Sequence, residues 1–554
     1  MIEAFWVPLL PPYLIGLVLS FAIEALLTPR PVAPWRRPMA AVGVHVGVWT
    51  LAFALELILF RRPYFAVANV LAIELLIVLV SNAKYKALKE PFVYPDVEYF
   101  LDAVKHPRLY LPFFGLPKAA AAGGGYGLAL WMGLTLEESV SAGTGSWLLS
   151  FAEFPEESRL VSGAPLLPFF IVTLSVGFAG LLVAMTCGKK SVVKFCAIAD
   201  LSQMGLIASL WAYGRNERSS CDMLRAKAPF AAIPAEQSLK RPELLPDMVV
   251  VQSESFFDAR REFSILRADL MPNFDLLKFE ALQHGQLEVD AWGANTVRTE
   301  FGFLSGMNPL DMGVHRYNPY RRLATKGFPT LASHLRSLGY RTICIHPYYP
   351  SFYKRDQLLP LLGFDEFISL DAFEGASRVG AYVSDCAVGR KLASVLAQRS
   401  CQPLYVHVIT MENHGPLHWE EVSAIDAASV LNSPMPPGCE DLVAYARHLR
   451  NGDAMLGMLR ATLIDRPWPA SLCLFGDHVP IMSTVYPALG EPDGRTDYLL
   501  WATGSHNVPL RHGRSQREER EARELAFDFL AASGYTSHVS PTSNVMRKSV
   551  SSVA

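Results

Sequence analysis

The reactive side chains of this chain sit just beyond short apolar runs. Glu254 follows Met248–Gln252 in VVVQSES, and Thr296 follows Leu287–Val289 in WGANTVRTEFGFLSG. His346 ends Arg341–His346, and His414 follows Leu404–Thr410 in TMENHGP. Asp477 and His478 follow Leu472–Phe475 in LFGDHVP. Glu, Asp and His are a ligand set that suits Mg2+, Mn2+ or Zn2+. Adjacent in a sharp turn, Asp477 and His478 could both reach one ion, with Glu254 as a third ligand from another strand. The alternative is that Asp477 caps the next helix and His478 faces solvent.

Thr296 is the candidate nucleophile. It follows the tight turn Gly293-Ala294-Asn295 and precedes Val297–Leu304, which reads as a helix. A hydroxyl there lies where backbone N–H groups and the helix dipole favour a phosphate. Metal coordination would activate it as an alkoxide. Thr296 could equally be a helix N-cap and nothing more.

These residues need elements to position them. From Asp247 onward, short apolar runs alternate with helical periodicity. Besides the runs named above, Tyr498–Trp501 reads as a strand. Pro329–Leu338, Asp385–Leu396 (capped by Ser384), Val443–Leu463 and Glu518–Leu530 read as helices. Alternation of this kind predicts a mostly parallel sheet flanked by helices. Ligands of such sheets bind beyond the carboxyl ends of the strands, where the reactive residues fall.

The first part of the chain is different. Overall, 51% of the 554 residues are hydrophobic and only 18% are charged, against about a quarter in soluble proteins. The excess lies in the runs Ala4–Pro29, Met39–Phe60, Tyr64–Ser81, Ala119–Leu136 and Leu166–Cys187. Each is long enough to cross a bilayer as a helix. Phe195–Tyr213 could be a sixth span or an interfacial helix. Basic residues follow the first, second, third and fifth runs, and the positive-inside rule puts Lys189 in the cytoplasm. The C-terminal part is then outside only if Phe195–Tyr213 crosses; five spans with the N-terminus inside give the same outside location but fit the charges less well. No basic residue precedes the first run, which argues against a removable signal peptide. Glu74 and His45 lie inside apolar runs, as functional groups or as hydrogen-bond partners between helices. The expected organisation is a transmembrane domain (1–214), a linker (215–246), a catalytic α/β domain (247–535) and a disordered Ser/Thr-rich tail (536–554). The net charge of −2 gives no sign of a nucleic-acid partner. Eight cysteines without a CxxC exclude a thiolate cluster.

The motifs GANTVRTEFGFLSG, YYPSFYKRDQLLPLLGFDEF and LFGDHVP resemble those of the alkaline phosphatase/sulfatase superfamily. Within it, the chain is similar to membrane-anchored phosphoglycerol transferases such as lipoteichoic acid synthase and the enzyme that decorates osmoregulated periplasmic glucans. The resemblance covers roughly Pro246–Leu530. It implies Glu254, Thr296, Asp477 and His478 as ligands of one divalent ion, Mn2+ or Mg2+, with Zn2+ a further option. It also implies Thr296 as nucleophile, and His346, Arg355 and His414 as residues that bind the phosphoglycerol head group. Tyr353 stands where a tryptophan often lies. Arg298 is a second phosphate-facing candidate, or a surface partner of Glu300 or Asp258. His414 could also stabilise charge or move a proton.

The activity so implied is transfer of phosphoglycerol from phosphatidylglycerol to an envelope glycan or lipid-linked acceptor, through a phospho-threonine. The implied location is a bacterial inner membrane, with the catalytic domain on the periplasmic or extracellular side. Phosphoethanolamine transfer and a non-catalytic membrane sensor or scaffold are the alternatives. No CxPxR motif is present for a sulfatase. The His506 and His512 region lacks the paired carboxylates of a second metal site. Cys401–Cys439 is an open disulfide option.

Overall fold

The computed structural model describes residues 9–98, 116–140, 166–218, 220–231, 239–240, 242, 244–399, 401–503 and 516–537. His506, His512 and residues 538–554 of the expected tail lie outside them. The chain divides into two compact units, Met1–Ser219 and Ser220–Ala554.

The first unit is helical, with α1 (Leu10–Glu24), α2 (Met39–Phe60), α3 (Pro63–Leu88), α4 (Leu116–Leu136) and α5 (Leu166–Lys189). Among the described residues, α2, α3 and Leu167–Lys189 of α5 are long and apolar enough to cross a membrane. α1 is shorter, at 15 residues. Helices α2 and α5 approach closely at Gly47, where any larger side chain would meet the backbone of Gly180 and Ala184.

Phe195–Tyr213 is not one helix. It forms α6 (Ala197–Met204) and α7 (Leu206–Glu217), separated by Gly205 at φ 81°. Pieces of 8 and 12 residues are too short to span about 30 Å singly. The cause is polar. Glu24 and Arg37 form a buried ion pair pressed against Gly205, and Glu24 accepts the Ile207 N–H at 2.9 Å, closing the open end of α7. A β-carbon at position 205 would collide with that pair. His45 bonds the Ser20 hydroxyl at 2.6 Å, so it links two helices. Glu74 is buried, with neither carboxylate oxygen hydrogen-bonded.

The second unit is built on a nine-stranded sheet. Its strands are β1 (Asp247–Ser253), β2 (Gln283–Glu288), β3 (Arg341–Ile345), β4 (Glu366–Ile368), β5 (Leu404–Ile409), β6 (Ala470–Gly476), β7 (Thr496–Ala502), β8 (Gln516–Arg517) and β9 (Arg520–Glu521). The spatial order is β8-β2-β7-β6-β1-β5-β3-β4, with β9 also on β2. From β6 to β4 all neighbours are parallel. β7 runs antiparallel to both β6 and β2, so β2 points the same way as β6.

The carboxyl ends of β1, β2, β3, β5 and β6 therefore share one edge of the sheet. β1, β5, β6 and β7 are buried throughout. Val249, Val251, Leu472 and Leu474 belong to one core cluster, while Met248, Val250, Cys473 and Phe475 belong to another. That two-residue alternation sends successive side chains into the two layers covering the sheet. Long helix α10 (Glu440–Ile464) covers the first face, together with α9 (Asp385–Ala397), which Ser384 caps through the Ala387 N–H as the sequence suggests. α11 (Ala522–Ala532) packs into the second. The helix expected at Pro329–Leu338 starts later, at Leu331, because the Thr330 hydroxyl caps it by accepting the Ser333 N–H at 3.1 Å.

Gly476, the last residue of β6, lies against the Phe256 carbonyl where β1 ends, and a β-carbon would overlap that oxygen. Gly476→Ala is expected to cost roughly 1–3 kcal/mol or more, read as a lowered denaturation midpoint. An unchanged midpoint would contradict the close approach.

Candidate metal centre

Four strand ends deliver the site. Glu254 leaves β1 through a tight turn in which Ser255 takes φ 51°, a left-handed conformation that costs a non-glycine residue about 1 kcal/mol. Three bonds hold the turn. The Ser255 N–H donates to Asp477 Oδ1 at 2.8 Å, the Tyr445 hydroxyl donates to the Ser255 carbonyl at 2.6 Å, and the Glu254 N–H donates to the Thr410 hydroxyl at 3.0 Å. Asp477 Oδ1 also receives the His478 N–H at 2.9 Å.

Glu254, Asp477 and His478 are buried, and one ligand atom of each lies within 4.8 Å of the others. His478 Nε2 is 3.5 Å from Glu254 Oε1 and 3.4 Å from Asp477 Oδ2. These spacings are long for charge-assisted hydrogen bonds. They match two donors each ~2.1 Å from a shared tetrahedral ion, which lie ~3.4 Å apart. The donor set passes two further tests. Asp477 Oδ2 is buried without a hydrogen-bond partner. His478 Nδ1 faces the Val479 carbonyl at 3.1 Å, so Nδ1 is the donor there and Nε2 is the nitrogen turned toward the two carboxylates, as in metal-bound histidines.

Thr296 opens α8 (Thr296–Ser305), after Asn295 in the left-handed region at φ 69°. One turn along, the Thr299 hydroxyl donates to the Asp477 carbonyl at 2.7 Å. This bond docks the amino end of α8 on the metal-ligand turn, with Thr296 about 4.5 Å along the axis from Thr299.

The remaining expected residues divide. Arg355 and His346 meet each other. Arg355 is 1% exposed and ion-paired with Glu300 at 2.5 Å, and its Nη1 donates to His346 Nε2 at 3.2 Å. His346 Nδ1 then donates to the Ile409 carbonyl at 3.2 Å. Burial, reinforced by Arg355, drives the His346 pKa well down, so the ring is neutral. Burial works against the Arg355 charge, but Glu300 outweighs it. Tyr353 lies beneath Arg355, the guanidinium 5.3 Å from its ring centre. Tyr353 and Lys354 are both left-handed, a strained pair of residues that aims Arg355 inward.

Arg298 is buried, donates to the Tyr317 carbonyl at 3.1 Å and lies over that ring. His414 is half-buried, with Nδ1 2.7 Å from the Gly415 carbonyl and 3.1 Å from the Tyr382 hydroxyl. Burial lowers its pKa, although the Gly415 carbonyl and Asp477 pull the other way. Nδ1–H therefore donates to Gly415, and Nε2 is free to accept a proton.

Sequence reasoning missed Glu300, Tyr320, Tyr382 and Ser255. Glu300 had one usable signal, its i+4 spacing from Thr296 on α8. Tyr320 closes the buried network by donating to Glu300 at 2.5 Å. All eight cysteines are free, Cys401 and Cys439 included.

The family model described as Sulfatase matches residues 246–534. The chain is 29% identical over 489 residues to the capsular polysaccharide biosynthesis protein RkpI of Rhizobium meliloti (strain 1021), covering 85% of this chain and 82% of that protein. It is 28% identical over 253 residues to a protein of the same organism named for cyclic beta-1,2-glucan modification, covering 45% of this chain and 38% of that one. The integral membrane protein lipooligosaccharide phosphoethanolamine transferase A (EptA) from Neisseria meningitidis shares the fold, with a TM-score of 0.53 at 12% identity over 89% of this chain and 88% of that one.

Burial, then the charge of Asp477, pushes the Glu254 carboxyl up to about 8. The metal-free site therefore holds that proton at neutral pH, and a divalent ion must displace it. Affinity should rise with pH by up to about tenfold per unit below that value and level off above it. Calorimetry at pH 7 in buffers of different ionisation enthalpy should show a proton released per ion. A buffer-independent heat would contradict this.

Proposed function

Because the chain belongs to the sulfatase family, we propose that it is a membrane-anchored phosphotransferase that moves phosphoglycerol from phosphatidylglycerol to an envelope glycan, through a phospho-threonine at Thr296. The observation that carries this reading is the convergence of Glu254, Asp477 and His478 beside the helix that Thr296 opens. The relatives named for capsular polysaccharide and glucan modification support a glycan acceptor. The apolar helices support a lipid donor held at the membrane.

Glu254, Asp477, His478 and the Thr296 hydroxyl would hold one divalent ion, Mn2+ or Mg2+. When bound, it supplies charge neutralisation and lowers the pKa of the hydroxyl. The chain's own residues do the rest. The Thr296 oxygen attacks phosphorus, its bond to phosphorus forms as the bond to the diacylglycerol oxygen breaks, and the threonine proton ends on diacylglycerol. The first N–H groups of α8 face the phosphate oxygens. In the second half, an acceptor hydroxyl attacks the phospho-threonine and loses its proton to His414 Nε2. The oxygen–phosphorus bond to Thr296 breaks, and a proton returns to the Thr296 oxygen. Positioning and charge stabilisation supply most of the acceleration in such transfers.

Thr296→Ala is expected to lower transfer from head-group-labelled phosphatidylglycerol by at least about 10³-fold, with circular dichroism unchanged. The wild type should carry a phosphoglycerol adduct on Thr296 by mass spectrometry. Substantial transfer by Thr296→Ala would remove this reading.

A further inference from the structure

A run of aromatic rings leads from the reactive histidine to the surface. The Tyr382 ring meets His414 edge-on at 5.4 Å between centroids, Tyr348 lies 6.3 Å from Tyr382, and Tyr349 lies 5.2 Å from Tyr348. Tyr382 comes from a short hairpin, Arg378–Val379 paired with Tyr382–Val383, and its hydroxyl donates to the Gly415 carbonyl at 3.1 Å. Its ring is thereby fixed to the same turn as His414. Tyr348 and Tyr382 are half-buried, and Tyr349 is 52% exposed.

We propose that the run from Tyr382 through Tyr348 to Tyr349 is the acceptor subsite, and that it takes a sugar ring. The inference rests on the glycan-transfer reading above and names the residues that would seat the glycan. The argument is one of place and chemistry. The acceptor hydroxyl must come to His414 Nε2, and the ring contacts make an aromatic path outward from His414. A sugar offers a flat C–H face that packs on a ring and a rim of hydroxyls that bonds phenol oxygens and solvent. Tyrosine has the matching character, an apolar body with a polar tip. An acyl chain has no use for the polar tips, and the donor phosphate would lie at the other end of the run, at Thr296.

The test uses the full-length chain in detergent, phosphatidylglycerol labelled in the head group, and cyclic beta-1,2-glucan as the acceptor probe. Tyr349→Ala should raise KM for the glucan roughly 5- to 10-fold, the range expected for a lost ring contact. Label loading on Thr296 and the KM for the phospholipid should not change. Tyr349→Trp should restore the wild-type KM. Equilibrium binding of the glucan alone should weaken by the same factor in Tyr349→Ala, with unfolding temperature unchanged. An unaltered glucan KM and Kd in Tyr349→Ala, no glucan binding by the wild type, or a shift in the phospholipid KM instead would each overturn the subsite. Failure of the wild type to load Thr296, with Tyr349-dependent glucan binding intact, would remove the transfer reading and leave the subsite standing.

Discussion

Two buried carboxylates facing one imidazole nitrogen are the constraint on which the site depends. Glu254 and Asp477 form no ion pair with Lys or Arg among the described residues, and His478 Nε2 lies 3.5 and 3.4 Å from them. Like charges at such spacing in a low-dielectric interior repel strongly. A proton or a cation must resolve the repulsion. Burial and the Asp477 charge raise the Glu254 pKa, and His478 turns Nδ1 toward the Val479 carbonyl. The local fold maintains this arrangement against its cost. The left-handed Ser255 is held by Tyr445 and by Asp477 itself, so a metal ligand also fixes the turn that presents its neighbour.

Sheet direction makes the convergence possible. Five parallel neighbours bring Glu254, His346, His414 and the Asp477–His478 pair to one edge. The antiparallel β7 restores that direction for β2, whose following loop leads to Thr296 at the start of α8. A second layer of buried polar groups stands behind the ligands. Glu300 sits on α8 with Thr296 and binds Arg355, which binds His346. The helix that Thr296 opens and the Arg355–His346 pair are thereby tied into one network, and a change at Glu300 would be felt at both.

Much of this was legible in the sequence. Strands buried on both faces are continuous apolar runs, so β1 and β6 declared themselves, with their reactive residues one step beyond. β2 begins four residues earlier than its apolar end suggests, because Gln283 satisfies its side chain on the Tyr498 hydroxyl at 2.8 Å and gives no apolar signal. The break at Gly205 was hidden because it depends on Glu24 and Arg37, far away in the chain. The resemblance implies Arg355 as a head-group residue. Its partner Glu300 lies 55 positions away, a pairing that no local pattern encodes. Tyr382 gave no signal at all, since its role comes from a hairpin laid against the Gly415 turn.

The central claim is that one cation joins Glu254, Asp477, His478 and the Thr296 oxygen. Anomalous diffraction from crystals grown with Mn2+ tests it most directly. The account predicts a single strong peak at roughly 2.0–2.6 Å from an atom of each of the four side chains. A peak elsewhere, or a peak on the other three with the Thr296 oxygen beyond coordination distance, would contradict it.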